Sequence, residues 1–327
     1  MKAWVLEDVC KLVLRDMAEL IPDSHEVLIK ISSFGLCGSD VEIYKGHRVP
    51  EIAANPLILG HEACGVVEEC GQKVREFKPG DHVVLRGIWG CCAEYVKASV
   101  FSPPSVNSLR CVQLIKIPAE MANIGVSLLE VLPKIIKSVD RAGISTATDV
   151  LVLGQGVTGL LLTQVVNLKS PHHLVAVDLF ENKLKIAQSY GATHAVIWHD
   201  PASIKDIRAI LPDGADVVFP CHLDGSGVAD AIELLKWGGK IILWGCLGKG
   251  KVDFFRLHAR GGDILSARMD DLAEDAEYCR RAVDYVQRGI IDPGDLITNI
   301  FEFNQMPEAF RLKEGPRGDV IHTVVKL

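Results

Sequence analysis

No stretch of this chain strings together the roughly eighteen apolar residues that a membrane helix requires, so nothing in it reads as a transmembrane span. Positive charge is not in surplus either. The 35 Lys and Arg residues stand against 42 Asp and Glu, for a formal net charge of -7, and the two signs are interspersed. No basic face is left to neutralise a phosphate backbone, so nucleic acid is not an expected partner. Ten cysteines are present but without a framework spacing, scattered from Cys10 to Cys279. That pattern reads as free thiols in a reducing compartment rather than as a disulfide scaffold. Met1-Lys2-Ala3-Trp4 leads into alternating sequence instead of the apolar segment of a signal peptide, and the expected compartment is the cytoplasm. With 48% hydrophobic and 24% charged residues there is no sign of a disordered tail, and 327 residues exceed one typical core, so two domains are expected.

What the chain does contain is concentrated first between residues 37 and 62. Cys37-Gly38-Ser39-Asp40-Val41-Glu42-Ile43-Tyr44 is followed, after a turn-rich stretch, by Leu59-Gly60-His61-Glu62. A thiolate, an imidazole and carboxylates so close together are the ligand types of a borderline-soft divalent metal, zinc above all. A zinc that keeps a position open for substrate takes three protein ligands; Cys37 and His61 supply two, with Glu62 as partner or competitor. Asp40 suits the second ring proton of His61, the contact that fixes the tautomer of a metal-bound imidazole. On this stretch alone a second reading stands beside the first: Cys37 as a small buried hydrophobe and His61 as a satisfied strand-end histidine.

In chain order, the first part reads as β. Residues 26–32 alternate apolar and polar, 65–68 follow the His61 stretch, Lys78-Pro79-Gly80-Asp81 is a turn before the strand 82–85, and 93–97 alternate again. Short strands punctuated by Gly and Pro predict a compact barrel. The Pro- and Ser-containing stretch from about 102 to 118 reads as a surface excursion returning to the core. From residue 124 the apolar spacing turns helical through Ile124, Leu128, Leu129, Leu132 and Ile135, with Glu130 an isolated carboxylate in the run. From Asp149 onward, apolar runs at 150–153, 174–177, 195–197, 217–219, 241–243 and 264–265 alternate with helical segments. Continuous apolar runs mark strands covered on both faces, so the second half is expected to be a doubly wound parallel sheet.

The first turn of that sheet reads Gly154-Gln155-Gly156-Val157-Thr158-Gly159, directly after a strand and opening an apolar helix. In this context the glycines serve a tight turn, close approach of backbone to a pyrophosphate, and helix–strand packing, with the pyrophosphate on the helix N-terminus. Asp178 ends the second strand, where a carboxylate accepts the ribose hydroxyls and repels a 2'-phosphate. Leu179 and Phe180 follow it, with no Arg to receive NADP, so NAD is the expected cofactor. In the alternative, Asp178 caps the next helix and the glycines serve only the turn.

These pieces resemble the zinc-dependent medium-chain alcohol and polyol dehydrogenases, in the sorbitol dehydrogenase-like branch, from about Lys2 to Lys326. The resemblance rests on Gly35-Leu36-Cys37-Gly38-Ser39-Asp40, Gly60-His61-Glu62, Lys78-Pro79-Gly80-Asp81-His82-Val83, Cys92-Ala93-Glu94-Tyr95-Val96, the Gly154 loop and Gly238-Gly239-Lys240. It implies a GroES-like β-barrel catalytic domain, residues 1–134 and 271–327, split by a Rossmann NAD-binding domain, residues 135–270, in a homodimer or homotetramer. It also gives Glu130 a partner, since a Glu at the matching place approaches the zinc in the polyol branch; the third ligand is then Glu130 or Glu62. Two departures stand out. The four-cysteine lobe that holds a structural zinc in most relatives is missing, because the strand 82–85 runs through Arg86-Gly87-Ile88-Trp89-Gly90 straight into Cys91-Cys92. One catalytic zinc per chain and no structural zinc are therefore expected. And Glu42 stands where many relatives carry a His, which bears on any proton relay there.

The expected reaction is hydride transfer from a secondary alcohol, a polyol, sugar or cyclitol, to NAD, giving the ketone. Ser39 is the candidate to take the hydroxyl proton, with Tyr44 and His47 as later relay members. Ser39, followed by acidic residues, also suits a helix N-cap. Tyr44, Ile88 and Trp89 are candidate pocket walls. Two other classes remain compatible with the fold: a zinc-free quinone or enone reductase, and a non-catalytic nucleotide-binding protein.

Overall fold

A computed structural model describes residues 1–47, 57–100, 113–199, 202–221, 226–244, 252–266, 271–315 and 318–327. The chain divides into two compact units, Met1–Pro133 with Met269–Leu327, and Lys134–Arg268.

The first unit opens with the hairpin β1 (Lys2–Asp8) and β2 (Lys11–Asp16), continues with β3 (Glu26–Gly35), the short helix α1 (Gly38–Tyr44), β4 (Glu62–Cys70), β5 (His82–Leu85), β6 (Tyr95–Ser99) and β7 (Leu114–Ile117), and reaches a 3-10 segment at Ile124–Glu130. After α2 (Leu132–Ala142), the second unit alternates β8 (Asp149–Leu153), α3 (Val157–Asn167), β9 (His173–Asp178), α4 (Glu181–Ser189), β10 (His194–Ile197), α5 (Ala202–Ile210), β11 (Ala215–Pro220), α6 (Ser226–Leu234), β12 (Leu235–Leu243), α7 (Phe254–Ala259) and β13 (Asp263–Ser266). The chain then returns to the first unit with α8 (Leu272–Gln287), β14 (Ile297–Glu302), α9 (Met306–Leu312) and β15 (His322–Lys326).

In the first unit, β3 is the organising strand. It pairs antiparallel with β4 along its length on one side, and on the other with β6 near its start and β15 near its end. The sheet order is β14-β15-β3-β4-β5-β7. Alternate residues of β3 point into a core with Trp4, Phe34, Leu36, Leu59, Leu85 and Phe310, which burial of apolar area holds together. In the second unit the order is β10-β9-β8-β11-β12-β13, all parallel. Counted from β8, this is the 3-2-1-4-5-6 arrangement of a dinucleotide-binding sheet, whose order reverses between β8 and β11. Val150, Leu151 and Val152 are fully buried, as a strand covered on both faces requires.

Three local expectations are corrected. The helical run predicted from 124 is a 3-10 segment followed by a separate α-helix, because Pro133 supports the first turn of a helix but cannot sit inside one. The N-cap of α1 is Cys37, not Ser39, with Asp40 accepting the Cys37 amide at 3.0 Å. Within the predicted surface excursion, Leu114–Ile117 is a mostly buried strand paired with β5; Ser102-Pro103-Pro104-Ser105 lies outside the described residues.

Candidate active site

Cys37 ends the loop after β3, and His61 and Glu62 sit at the start of β4, so the β3–β4 pairing that sets Gly35 opposite Glu62 brings the two motifs together. A sulfur, an imidazole nitrogen and a carboxylate oxygen from Cys37, His61 and Glu62 lie within 4.8 Å of one another. Asp40 arranges them from behind, fully buried on α1. Its Oδ1 accepts from the Gly60 amide at 3.0 Å and faces His61 Nδ1 at 3.3 Å, while Oδ2 accepts from the Cys37 amide. With Nδ1 facing Asp40, Nε2 is the His61 nitrogen left to ligate, as when a carboxylate behind a metal-bound imidazole fixes its tautomer. Ser39 Oγ lies 3.4 Å from that Nε2. The His61 ring stacks against Trp89 at 4.4 Å between centroids.

Burial raises the Glu62 carboxyl to about 7, helped by the nearby Glu130 carboxylate and opposed by His61. Burial and the neighbouring Glu62 also push the Cys37 thiol up. For His61, burial alone would lower the pKa, but Asp40 outweighs it and holds the ring well above its usual value. Glu62 Oε2 is buried without a hydrogen-bond partner. A soft thiolate, an imidazole and a carboxylate converging within 4.8 Å of one another fit a divalent metal such as zinc.

The remaining candidates lie as follows. Glu130 ends the 3-10 segment, buried, and its carboxylate raises the pKa of Glu62 without joining the three atoms that converge. The Tyr44 hydroxyl donates to the Cys10 carbonyl at 3.2 Å, and its ring packs on Phe310, so it belongs to the core. His47 faces Glu42 at 3.4 Å on the surface. Among the other cysteines of this unit, which the sequence offers no spacing to join in a second metal site, the thiols of Cys64, Cys70 and Cys91 are engaged by Ser33, Phe77 and Ile88, and Cys92 is fully buried.

Two buried groups had no sequence signature. His322 on β15 is fully buried and presents Nε2 to Glu62 Oε2 at 3.4 Å. Room for it comes from Gly35, since a Cβ there would stand 2.2 Å from His322 Nε2 and 2.9 Å from Glu62 Oε2. Arg86, just past β5, is fully buried; it donates to the Glu130 carbonyl at 3.1 Å, to Asp275 at 2.8 Å and to the Cys279 sulfur at 3.1 Å. A lone Arg after Val83-Val84-Leu85 is the only hint in the sequence.

In the second unit, Gly154 has φ +95°, a conformation that favours glycine, and a Cβ on Gly159 would stand 1.9 Å from the Gly154 carbonyl. A Cβ on Gly156, the N-cap of α3, would meet nothing within 4 Å, so the space over the turn is open. Gln155 turns inward, donating to Val152 O and accepting from Thr163, while Val157 and Thr158 open the helix. Asp178 ends β9 and accepts from the Gln155 and Phe180 amides at 2.6 and 3.0 Å; Leu179 is exposed. The open turn at the helix N-terminus fits a dinucleotide pyrophosphate.

Comparison with known proteins agrees with this layout. Residues 23–101 match the alcohol dehydrogenase GroES-like domain, and residues 157–287 match the zinc-binding dehydrogenase family. A D-xylulose reductase of Saccharomyces cerevisiae is 32% identical over 77% of this chain and 78% of its own, and one from Morganella morganii is 27% identical over 97% and 98%. A zinc dependent alcohol dehydrogenase 2 from Streptococcus pneumonia superposes with a TM-score of 0.84 at 23% identity, covering 100% of this chain and 98% of that one, which shows a shared fold. Together with the GroES-like β unit and the parallel nucleotide-binding unit, these matches identify the chain as a member of the zinc-binding, medium-chain alcohol and polyol dehydrogenase family of oxidoreductases.

Proposed function

We propose that the protein oxidises a secondary alcohol of a polyol, sugar or cyclitol to the ketone, with NAD as acceptor and one catalytic divalent metal held by Cys37, His61 and Glu62. The observation that carries this reading is the convergence, within 4.8 Å of one another, of a thiol sulfur, an imidazole nitrogen and a carboxylate oxygen from Cys37, His61 and Glu62. When bound, the metal supplies a Lewis acid that makes a substrate hydroxyl acidic, and the dinucleotide supplies the two-electron acceptor. The balance is alcohol plus NAD+ to ketone, NADH and a proton. Asp40 keeps His61 Nε2 aimed outward and ties Cys37 and Gly60 to the same carboxylate, so the donors are in place before the ligand arrives. Ser39 Oγ, within reach of His61 Nε2, is the proposed first acceptor of the hydroxyl proton. Trp89 against His61 is an apolar wall that limits water.

One catalytic metal without a structural zinc is supported by the hydrogen bonds that already occupy the thiols of Cys64, Cys70 and Cys91. NAD over NADP is supported by the carboxylate of Asp178 and by the absence of a cation at 179 and 180. The D-xylulose reductase relatives support a polyol and ketose pair. Homo-oligomerisation is proposed as well, supported by exposed Trp237, Phe254 and Phe255. The test is metal analysis of purified protein and of Cys37→Ser, with polyols screened for NAD+ and NADP+ reduction. The expected result is a resident metal lost in the variant together with turnover, and a higher kcat/KM with NAD+. A folded wild type that binds NADH but holds no metal would overturn the reading in favour of a zinc-free reductase or a non-catalytic role.

A further inference from the structure

A second set of ligand-type side chains lies in the cofactor unit, away from the Gly154 turn. Because its strands run parallel, their amino ends share one edge, whereas the Gly154 turn and Asp178 follow the carboxyl ends of β8 and β9. At the amino edge, Asp149 begins β8, His173 begins β9 directly opposite it in register, and His194 begins β10 beside them. Nδ1 of His172 and Nδ1 of His173 approach the same oxygen, Asp149 Oδ1, at 2.9 and 2.8 Å. A ligand atom from each of the three residues lies within 4.8 Å of the other two. The rings of His172 and His173 are 3.9 Å apart, and that of His194 is 5.2 Å from His173.

We propose that Asp149, His172 and His173 form a second, exchangeable site for a divalent transition metal such as Zn2+, Co2+ or Ni2+, on the sheet edge opposite the nucleotide turn, with His194 beside it. Two imidazoles and one carboxylate are the donor set of a facial site with open positions. Two of the three spacings are near those of such a site: donors about 2.1 Å from an ion stand about 3.0 Å apart at right angles and about 3.4 Å apart at tetrahedral angles, against 2.9 and 2.8 Å from Asp149 Oδ1 to the two Nδ1 atoms. The scaffold holds them there. The β8–β9 ladder fixes Asp149 against His173, and the His172 amide donates to the Thr148 carbonyl at 3.0 Å. Water reaches the set, since His172 is 60% exposed on its side chain and can carry its remaining N–H at Nε2. The nearby cation Lys236 pairs with Asp216 at 2.9 Å. Nothing in the cluster is a thiol, which separates its chemistry from that of Cys37.

The protein with its resident metal is titrated with Co2+, with total metal counted by equilibrium dialysis and the visible spectrum recorded. Wild type is expected to take up an additional equivalent per chain with weak d–d absorption and no thiolate charge-transfer band, while His172→Ala/His173→Ala loses that equivalent and keeps its catalytic rate. Asp149→Asn, with the carboxylate exchanged for a weaker donor, provides an independent loss should the double variant fold poorly. Absence of an additional equivalent in wild type, equal uptake in folded variants, or a new thiolate band would each overturn the proposal. A Cys37→Ser protein that lacks its resident metal yet still gains the cobalt equivalent retains this site, so the outcome is separable from the catalytic reading.

Discussion

His322 illustrates how a single side chain can matter without touching a ligand. Its imidazole is fully buried, and burial holds it well below its usual pKa, so the neutral ring has one N–H donor and one acceptor nitrogen. The group it faces is Glu62 Oε2, the orphaned oxygen of the candidate ligand carboxylate. Replacing a group that orients a ligand typically costs about 10- to 100-fold in metal affinity. His322→Leu is therefore expected to fold, since leucine suits the β15 core, but to give up its resident metal to a chelator at about tenfold lower concentration than wild type. Equal chelator midpoints would show that Glu62 is positioned by its backbone alone. The motif residues of this site were legible as candidates because their types are rare in combination: Cys37, Asp40, His61 and Glu62 fall within one short stretch of donor-type residues. His322 announced nothing, because a histidine 260 positions from Glu62 becomes its neighbour only when β15 docks on β3.

At the level of elements, two connections are built on charge. In the turn before β5, Asp81 accepts the Lys78 amide at 2.9 Å and pairs with Lys116 of β7 at 2.6 Å. Burial alone would raise the Asp81 carboxyl, but Lys116 and the Lys78 amide outweigh it and hold it below the usual range. A carboxyl depressed in the folded state adds stability that is complete above its unfolded value, about 3.9, and is lost as pH falls through the lower folded value. Asp81→Asn should accordingly be less stable than wild type at neutral pH, and the gap measured by urea unfolding should close below pH ~4. A gap that stays constant into acid would assign the effect to the turn backbone. The second connection is Arg86 with Asp275, which joins the end of β5 to α8 in a fully buried pair. Removing one partner of such a pair leaves an uncompensated charge and costs about 3–5 kcal/mol. Arg86→Met is expected to lose about that much, and Arg86→Met/Asp275→Leu to recover part of it, as a double-mutant cycle in urea would report. Strict additivity of the two substitutions would mean that the pair is not coupled. This ionic tie occupies the point where the chain runs from β5 to Cys91 without a cysteine lobe.

For the molecule as a whole, each unit is expected to answer to its own ligand. A species that binds only the folded state stabilises it by about 2.7 kcal/mol at a free concentration 100 times its Kd. In hydrogen exchange, chelation should deprotect peptides containing Cys37, His61 and Glu62, whereas NADH should protect those containing Gly154–Gly159 and Asp178. Deprotection by chelator that centres on the parallel-sheet unit instead would contradict placement of the catalytic metal at Cys37. The sequence by itself determined the division into a β unit and a parallel-sheet unit, the position of nearly every strand in the latter, and the identity of the glycine turn. Those features follow from periodicity, Gly and Pro punctuation and the φ of individual residues, which are local properties that neighbours in sequence impose. Only the tertiary structure decided that Cys37, His61 and Glu62 converge with Glu130 set back from them, that Pro133 starts a new helix, and that Tyr44 is core. It also decided that His322 and Arg86 are buried against Glu62 and Asp275, and that Asp149, His172 and His173 meet on one edge. Each of these depends on which strands pair and in what register, a choice made by burial of the whole apolar surface rather than by any segment's own pattern.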